Sequence, residues 1–173
     1  MQTMPSPHAA QPTSESPQSL NFELITPFID STRRVLATMA GMDVAMGSPY
    51  LKSEATANWD VSGIISFSDG LVGSMAMTFR NSVALKLVAA LTGAEMDSTS
   101  AEFTDAIGEL ANMIAGNAKQ NLNMSVNISV PTVVTGAGHT IARIAGAPSV
   151  VIPCQSRAGD FAIEINIRLK RQI

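Results

Sequence analysis

Three kinds of side chain in this sequence could carry chemistry: one thiol, two imidazoles and a carboxylate–carboxamide pair. The single cysteine, Cys154, allows no internal disulfide and no cysteine cluster for a metal. It stands between Pro153 and Gln155 in a strand-like run and reads as a small core residue. The two histidines, His8 in a Pro/Ser-rich stretch and His139 after Gly138, do not make a zinc site. His139 reads as a loop or interface residue. Gly136-x-Gly138 is a loop signal and not a phosphate cradle, because no helical pattern follows it. What remains is Glu109 and Asn112, three residues apart in a strongly helical stretch, and therefore neighbours on one face.

That face is unusual. Phe103, Ile107, Leu110, Ala111, Ile114, Ala118 and Leu122 gather on one side of the helix. Asp105, Glu109, Asn112, Gly116, Gln120 and Asn123 gather on the other. The ordinary reading of such a polar stripe is a solvated face. Solvated faces, however, favour Lys and Glu, whereas this one uses Asn and Gly, both poor helix formers. A glycine inside a helix costs about 1 kcal/mol against alanine. On an exposed face Gly116 has no core reason to be there, but it suits the close approach of another protein. The stripe reads as a docking surface with a carboxamide at its centre.

The composition narrows the remaining classes. The chain has 173 residues, 46% hydrophobic and 14% charged, which suits one globular domain with a real core. A net charge of −3 argues against a nucleic-acid partner, which calls for a basic face. No apolar run approaches the roughly 18 residues of a membrane span, and no signal peptide is visible. The expectation is a cytoplasmic domain. Residues 1–19, rich in Pro and Ser, bury too little to offset their ordering entropy and read as a disordered tail; the single domain is expected over residues 20–173.

The elements that must position the pair follow from periodicity. Leu24, Ile25, Phe28, Val35, Leu36 and Met39 mark a helix ending at Gly41, its regular part starting near Thr26 because Pro27 suits only a first turn. Val44, Met46 and Pro49–Leu51 suggest a short edge strand. Val61–Phe67 and Val72–Phe79 flank Asp69-Gly70 and read as a hairpin, with Asp60 and Asp69 as turn residues. Met39, Met75 and Met77 read as core filler. Ser82–Leu91 is a short helix with Ser82 as a possible cap. Thr99-Ser-Ala-Glu102 has capping-box spacing and opens the longest helix, to about Asn123. Val126–Val134, a loop from Gly136 to Gly146, and a hairpin of Ser149–Gln155 and Phe161–Leu169 around Arg157–Asp160 complete the chain.

Met42-x-Val44-x-Met46-x-x-Pro49 is echoed 82 residues later by Met124-x-Val126-x-Ile128-x-x-Pro131, and Ile25 and Phe28 by Ile107 and Leu110. The expected fold is α+β: two pseudo-repeats of a helix plus three strands, with an antiparallel sheet packed against long helices.

The stretch Asp105-Ala-Ile-Gly-Glu109-Leu-Ala-Asn112-Met-Ile-Ala-Gly116-Asn117 resembles the helix signature of the CheC/CheX/FliY family of chemotaxis phosphatases: Asp or Ser, Glu four residues on, Asn three further, then a glycine. The resemblance runs from about Leu20 to Arg168 and takes in the duplication, the Pro131 strand and the Gly138-His139 loop. CheC-like members carry the signature in both halves. Here the offset of 82 puts Glu109 and Asn112 on Pro27 and Asp30, so one signature per chain resembles the CheX branch. Nothing resembles the additional switch-binding domain of FliY.

The resemblance implies dephosphorylation of the phospho-aspartate of a CheY-like receiver. Asn112 would orient the attacking water and Glu109 would pair with the receiver's active-site lysine. Positioning dominates phosphoryl transfer, and a neutral amide can supply it. The family needs no cofactor or metal of its own, since Mg²⁺ is supplied by the phosphorylated receiver. Asp105, Met113, Gly116 and Gln120 are the expected partner-binding residues. The alternatives are a receiver-binding module without turnover, and an assembly protein. A homodimer through sheet edges is also expected, because Phe161–Leu169 is long, has one wholly apolar face and invites pairing if left at an edge. CheX-type relatives, which join sheets edge to edge, imply the same.

Overall fold

The computed structural model describes residues 21–53 and 59–170. The expected tail, residues 1–19, lies outside them.

The first helix, α1, runs Phe22–Ala40, four residues earlier than Pro27 suggested. Asn21 sets the start, its side chain accepting the Glu23 N–H at 3.1 Å. Pro27 then stands inside the helix, where its missing N–H deprives only the Glu23 carbonyl of its usual partner. Gly41, at φ 55°, closes the helix in the left-handed conformation. Leu24, Ile25, Phe28, Val35 and Leu36 are buried, but Met39 is half-exposed and not core filler. Ser31 and Thr32 are buried instead with satisfied hydroxyls, Thr32 donating to the Phe28 carbonyl at 2.8 Å.

After α1 come β1 (Val44–Met46), β2 (Tyr50–Leu51), β3 (Val61–Asp69) and β4 (Leu71–Phe79), then α2 (Asn81–Thr92) and α3 (Ala101–Gln120). The chain finishes with β5 (Val126–Ile128), β6 (Thr132–Thr135), β7 (Ser149–Ser156) and β8 (Gly159–Leu169). Both hairpins form. The second turns on Arg157-Ala158, tighter than the expected Arg157–Asp160. The Val126–Val134 run is two strands, parted around Pro131.

Helix starts differ from the sequence reading because their caps are chosen by geometry. Ser82 does not cap α2. The cap position is Arg80, and the Asp60 carboxylate, not a simple turn residue, accepts the Asn81 N–H at 2.9 Å. Ser100 rather than Thr99 caps α3, accepting the Phe103 N–H at 3.2 Å. Thr99 gives its N–H and hydroxyl to Asp97, and those bonds hold the Asp97 carboxyl below its usual range. Asn121 caps the other end, so α3 stops short of Asn123.

The eight strands form one antiparallel sheet in the order β1-β7-β8-β4-β3-β5, with β2 also on β7 and β6 also on β3. Strand β8 is therefore interior, paired with β4 on one side and β7 on the other. The expectation that it offers an open edge is wrong. The edges are the short strands β1/β2 and β5/β6.

The repeat is real, and it extends to the pairing register. Val126–Ile128 follows Val44–Met46 by 82 residues with the same burial pattern. Met46 lies opposite Cys154, and Ile128 opposite Phe67, 87 residues earlier. Tyr50 lies opposite Val151, and Thr132 opposite Ile64, at the same two offsets. Each half lends its first strands to the other half's hairpin.

One sheet face packs against the helices through Phe28, Phe79, Phe103, Met75, Met77 and Ile107, among others, all essentially inaccessible. Cys154 belongs to this core. Its thiol donates to Met46 Sδ at 3.3 Å, and burial pushes its pKa up to about 12. The polar side chains of β8 face the other way, toward the long loop between β6 and β7. Asn166 accepts the Ile144 N–H at 2.7 Å and donates to the Ala147 and Pro148 carbonyls, both at 3.1 Å. Lys52 pairs with Glu164 at 2.8 Å. His139 bridges Ser62 Oγ and the Gly136 carbonyl, each at 2.7 Å. A carbonyl on Nδ1 makes that nitrogen the donor and leaves Nε2 to accept the Ser62 hydroxyl. The histidine is a fastening of this loop. Among the described residues, no helix is long and apolar enough to cross a membrane.

Two outcomes follow from these contacts. Asn166→Ala removes three hydrogen bonds from a buried site and should lower stability by about 2–4 kcal/mol in urea unfolding. The protonated, buried Cys154 should react with a disulfide reagent at pH 8 no faster than the protein unfolds, and at once in guanidinium; rapid native-state labelling would contradict the burial.

Candidate functional site

Helix α3 is fixed by what it buries. Phe103, Ile107, Leu110, Ala111, Ile114 and Ala118 all face the core, as their spacing requires, and Leu122 is buried just beyond the helix. Gly108 and Ala115 are buried as well, so the buried stripe is broader than the apolar periodicity indicated. Ser31 of α1 donates its hydroxyl to the Ile114 carbonyl at 2.6 Å and ties the two helices together at mid-length.

The opposite face brings the expected pair to the surface. Glu109 is exposed and Asn112 half-buried, one turn apart. Neither side chain hydrogen-bonds to another described residue, whereas the later amides are committed: Asn117 donates to the Met113 carbonyl at 3.0 Å and Asn121 to the Asn117 carbonyl at 2.9 Å. Asp105 and Gln120 are exposed along the same stripe. Gly116, one turn beyond Asn112, has open space where a Cβ would stand, so nothing within this chain requires a glycine there. Met113 is partly buried and packs against the core as well as reaching the surface. Asn123 lies past the helix end and drops out of the face.

An open groove of about 560 Å³ runs beside the pair, lined by Thr104, Asp105, Gly108, Glu109, Pro131 and Val133. The sequence reading missed Gly108 and the Pro131–Val133 wall. The available signal was a second glycine within the signature helix, where helix propensity disfavours it. The corresponding face of α1 has no equivalent pair, since Pro27 is buried and Asp30 stands alone in the Asn position.

The chemistry open to this face is that of presentation. Among the described residues, no cluster of His, Cys, Asp or Glu could hold a metal ion. The thiol is buried and the His139 imidazole is bonded at both nitrogens. Asp105 and Glu109 make the face acidic around a neutral carboxamide, an arrangement suited to a cation and a water held by another molecule.

The family model described as chemotaxis phosphatase CheX matches residues 61–155, more than half of the chain. The CheY-P phosphatase CheX of Thermotoga maritima is 29% identical over 121 residues, 68% of this chain and 78% of that protein. A CheC-like superfamily protein from Shewanella sp. PV-4 superposes with a TM-score of 0.79 at 36% identity, covering 86% of this chain and 99% of its own. A chain in the CheX-CheY-BeF3-Mg complex from Borrelia burgdorferi superposes at 0.69 and 27% identity, over 86% and 98%. By sequence and by fold, the chain belongs to the CheX family of chemotaxis phosphatases.

Proposed function

We propose that this protein hydrolyses the phospho-aspartate of a CheY-like receiver domain, with Asn112 orienting the attacking water and Glu109 pairing with the receiver's active-site lysine. The observation that carries the reading is the uncommitted Glu109/Asn112 pair at the surface of α3, with open space above Gly116 for a partner's backbone. Water attacks phosphorus, the bond to the aspartate oxygen breaks, and aspartate, inorganic phosphate and a proton are released. The aspartate carboxylate is a good leaving group, so placement of the water is the main task left to the phosphatase. The Borrelia complex contains CheX, CheY, Mg²⁺ and beryllofluoride, which is a mimic of a phosphoryl group. That supports a partner which brings its own metal, and Asp105, Met113, Gly116 and Gln120 are the surrounding contacts.

Asn112→Ala should slow dephosphorylation of an acetyl-phosphate-treated receiver by about 10²-fold without affecting stability. Glu109→Lys should weaken binding to the beryllofluoride-loaded receiver by more than Glu109→Ala does, since it sets two ammonium groups together. Wild-type turnover by the Asn112 variant would overturn the catalytic role; receiver binding by the wild-type chain without turnover would make it a binding module.

A homodimer through the β1/β2 edge fits the same reading. Tyr50 and Leu51 on that edge are half-exposed and would be covered by a second copy. Helix α3 packs on β3, β5 and β6, toward the other edge, so both Glu109/Asn112 faces would stay free. Light scattering should give twice 18.1 kDa, and Tyr50→Lys should shift it to a single chain; a monomer at micromolar concentration would refute the dimer.

A further inference from the structure

We propose that Gly108 and Pro131 are positioning residues, whose contact sets the seat of α3 on the sheet and so the places of Glu109 and Asn112 against a docked receiver. The inference rests on the receiver reading and deepens it.

A helix normally rests on a sheet through side chains from both layers. Here two side chains are missing where the signature sits. A Cβ on Gly63 of β3 would lie 3.1 Å from the Ile107 carbonyl oxygen and 3.2 Å from the Ala111 Cβ. A Cβ on Gly108 would lie 3.2 Å from Pro131 Cγ, 3.3 Å from Pro131 Cβ and 3.4 Å from Val133 Cγ2. Neither glycine has a positive φ, so neither is required by its backbone conformation. Glycine also weakens a helix interior. What it provides at both places is closeness.

The seated residues are 107, 108 and 111, of which Gly108 directly precedes Glu109 and Ala111 directly precedes Asn112. On the far side the Ser31 hydroxyl holds the Ile114 carbonyl at 2.6 Å. The turn that carries the pair is thus clamped between α1 and the β3/β6 edge. Pro131 suits its place, because the ladder is already interrupted there and a rigid ring gives the helix a hard stop. Pro131 and Glu109 line one groove, and Gly108 directly precedes Glu109 in the chain, so a shift of the helix at this contact carries Glu109 with it.

The test compares Gly108→Ala, the double variant Gly108→Ala/Pro131→Ala and Asn112→Ala in phosphate release from the acetyl-phosphate-treated receiver, with thermal unfolding alongside. Alanine's higher helix propensity offsets the crowding against Pro131, so Gly108→Ala should leave the unfolding temperature nearly unchanged. It should nonetheless lower kcat about three- to tenfold, with a smaller change in KM, because a displacement of a few tenths of an ångström separates the carboxamide from its water. Removing the ring in the double variant takes away the contact at Cγ and leaves the one at Cβ, so it should recover part of the lost kcat. If Gly108→Ala fails to fold, restoration of both fold and kcat by Pro131→Ala supports the contact. Wild-type kcat in Gly108→Ala, or no recovery in the double variant while Asn112→Ala is inactive, overturns the positioning role alone. Full turnover by Asn112→Ala, or none by the wild-type chain, overturns the receiver reading and this inference with it.

Discussion

Strand β4 pairs with β8 over nine residues, from Leu71 opposite Leu169 to Phe79 opposite Phe161, and this joint makes one sheet out of two half-chains. Beyond the two hairpins, the outer strands are exchanged. The first half supplies β1 and β2 to the hairpin of the second, and the second supplies β5 and β6 to the hairpin of the first. Helix α3 therefore rests on strands from both halves, β3 from one and β5 and β6 from the other. The surface that presents Glu109 and Asn112 exists only when the halves have interlocked, which ties the site to the cooperativity of the whole domain.

Two copies of one design are present, but only one is equipped. At the position of Glu109 the first half has Pro27, buried in a helix whose cap is set by Asn21. Proline there supplies neither a charge nor a reachable side chain. Asp30, in the place of Asn112, is an acceptor only when ionised and cannot both donate and accept as a carboxamide does. Helix α1 instead serves the working helix, burying Phe28 and Leu36 and lending the Ser31 hydroxyl.

What was legible in the sequence was what depends on neighbours along the chain. The apolar spacing of α3, the Asp69-Gly70 turn and the repeat of Met42–Pro49 in Met124–Pro131 are local patterns, and each names an element correctly. The Glu109/Asn112 face came from the same helical arithmetic. Sheet order is a non-local property, and Phe161–Leu169 reads as a pairing edge because it is long and one of its faces is wholly apolar. In the fold its polar row is covered, and Asn166 is occupied with three backbone partners in the loop above it. Caps failed for a related reason: Ser82 and Thr99 have suitable side chains, but Asp60 arrives from 21 residues away at α2, and Asp97 occupies Thr99. Gly108 could not be distinguished from Gly116 by sequence, although one touches Pro131 and the other touches nothing.

The exchange of strands also has a consequence during synthesis. When the chain has emerged as far as α2, both flanks of the β3–β4 segment are bare, since β5 and β6 for one and β8 for the other have yet to emerge. Each flank is a row of open backbone donors and acceptors beside Ile65, Met75 and Met77, side chains the finished fold makes inaccessible. A domain built this way has no stable halfway product: the nascent first half must be kept from its neighbours until nearly the last residue of β8 has been added.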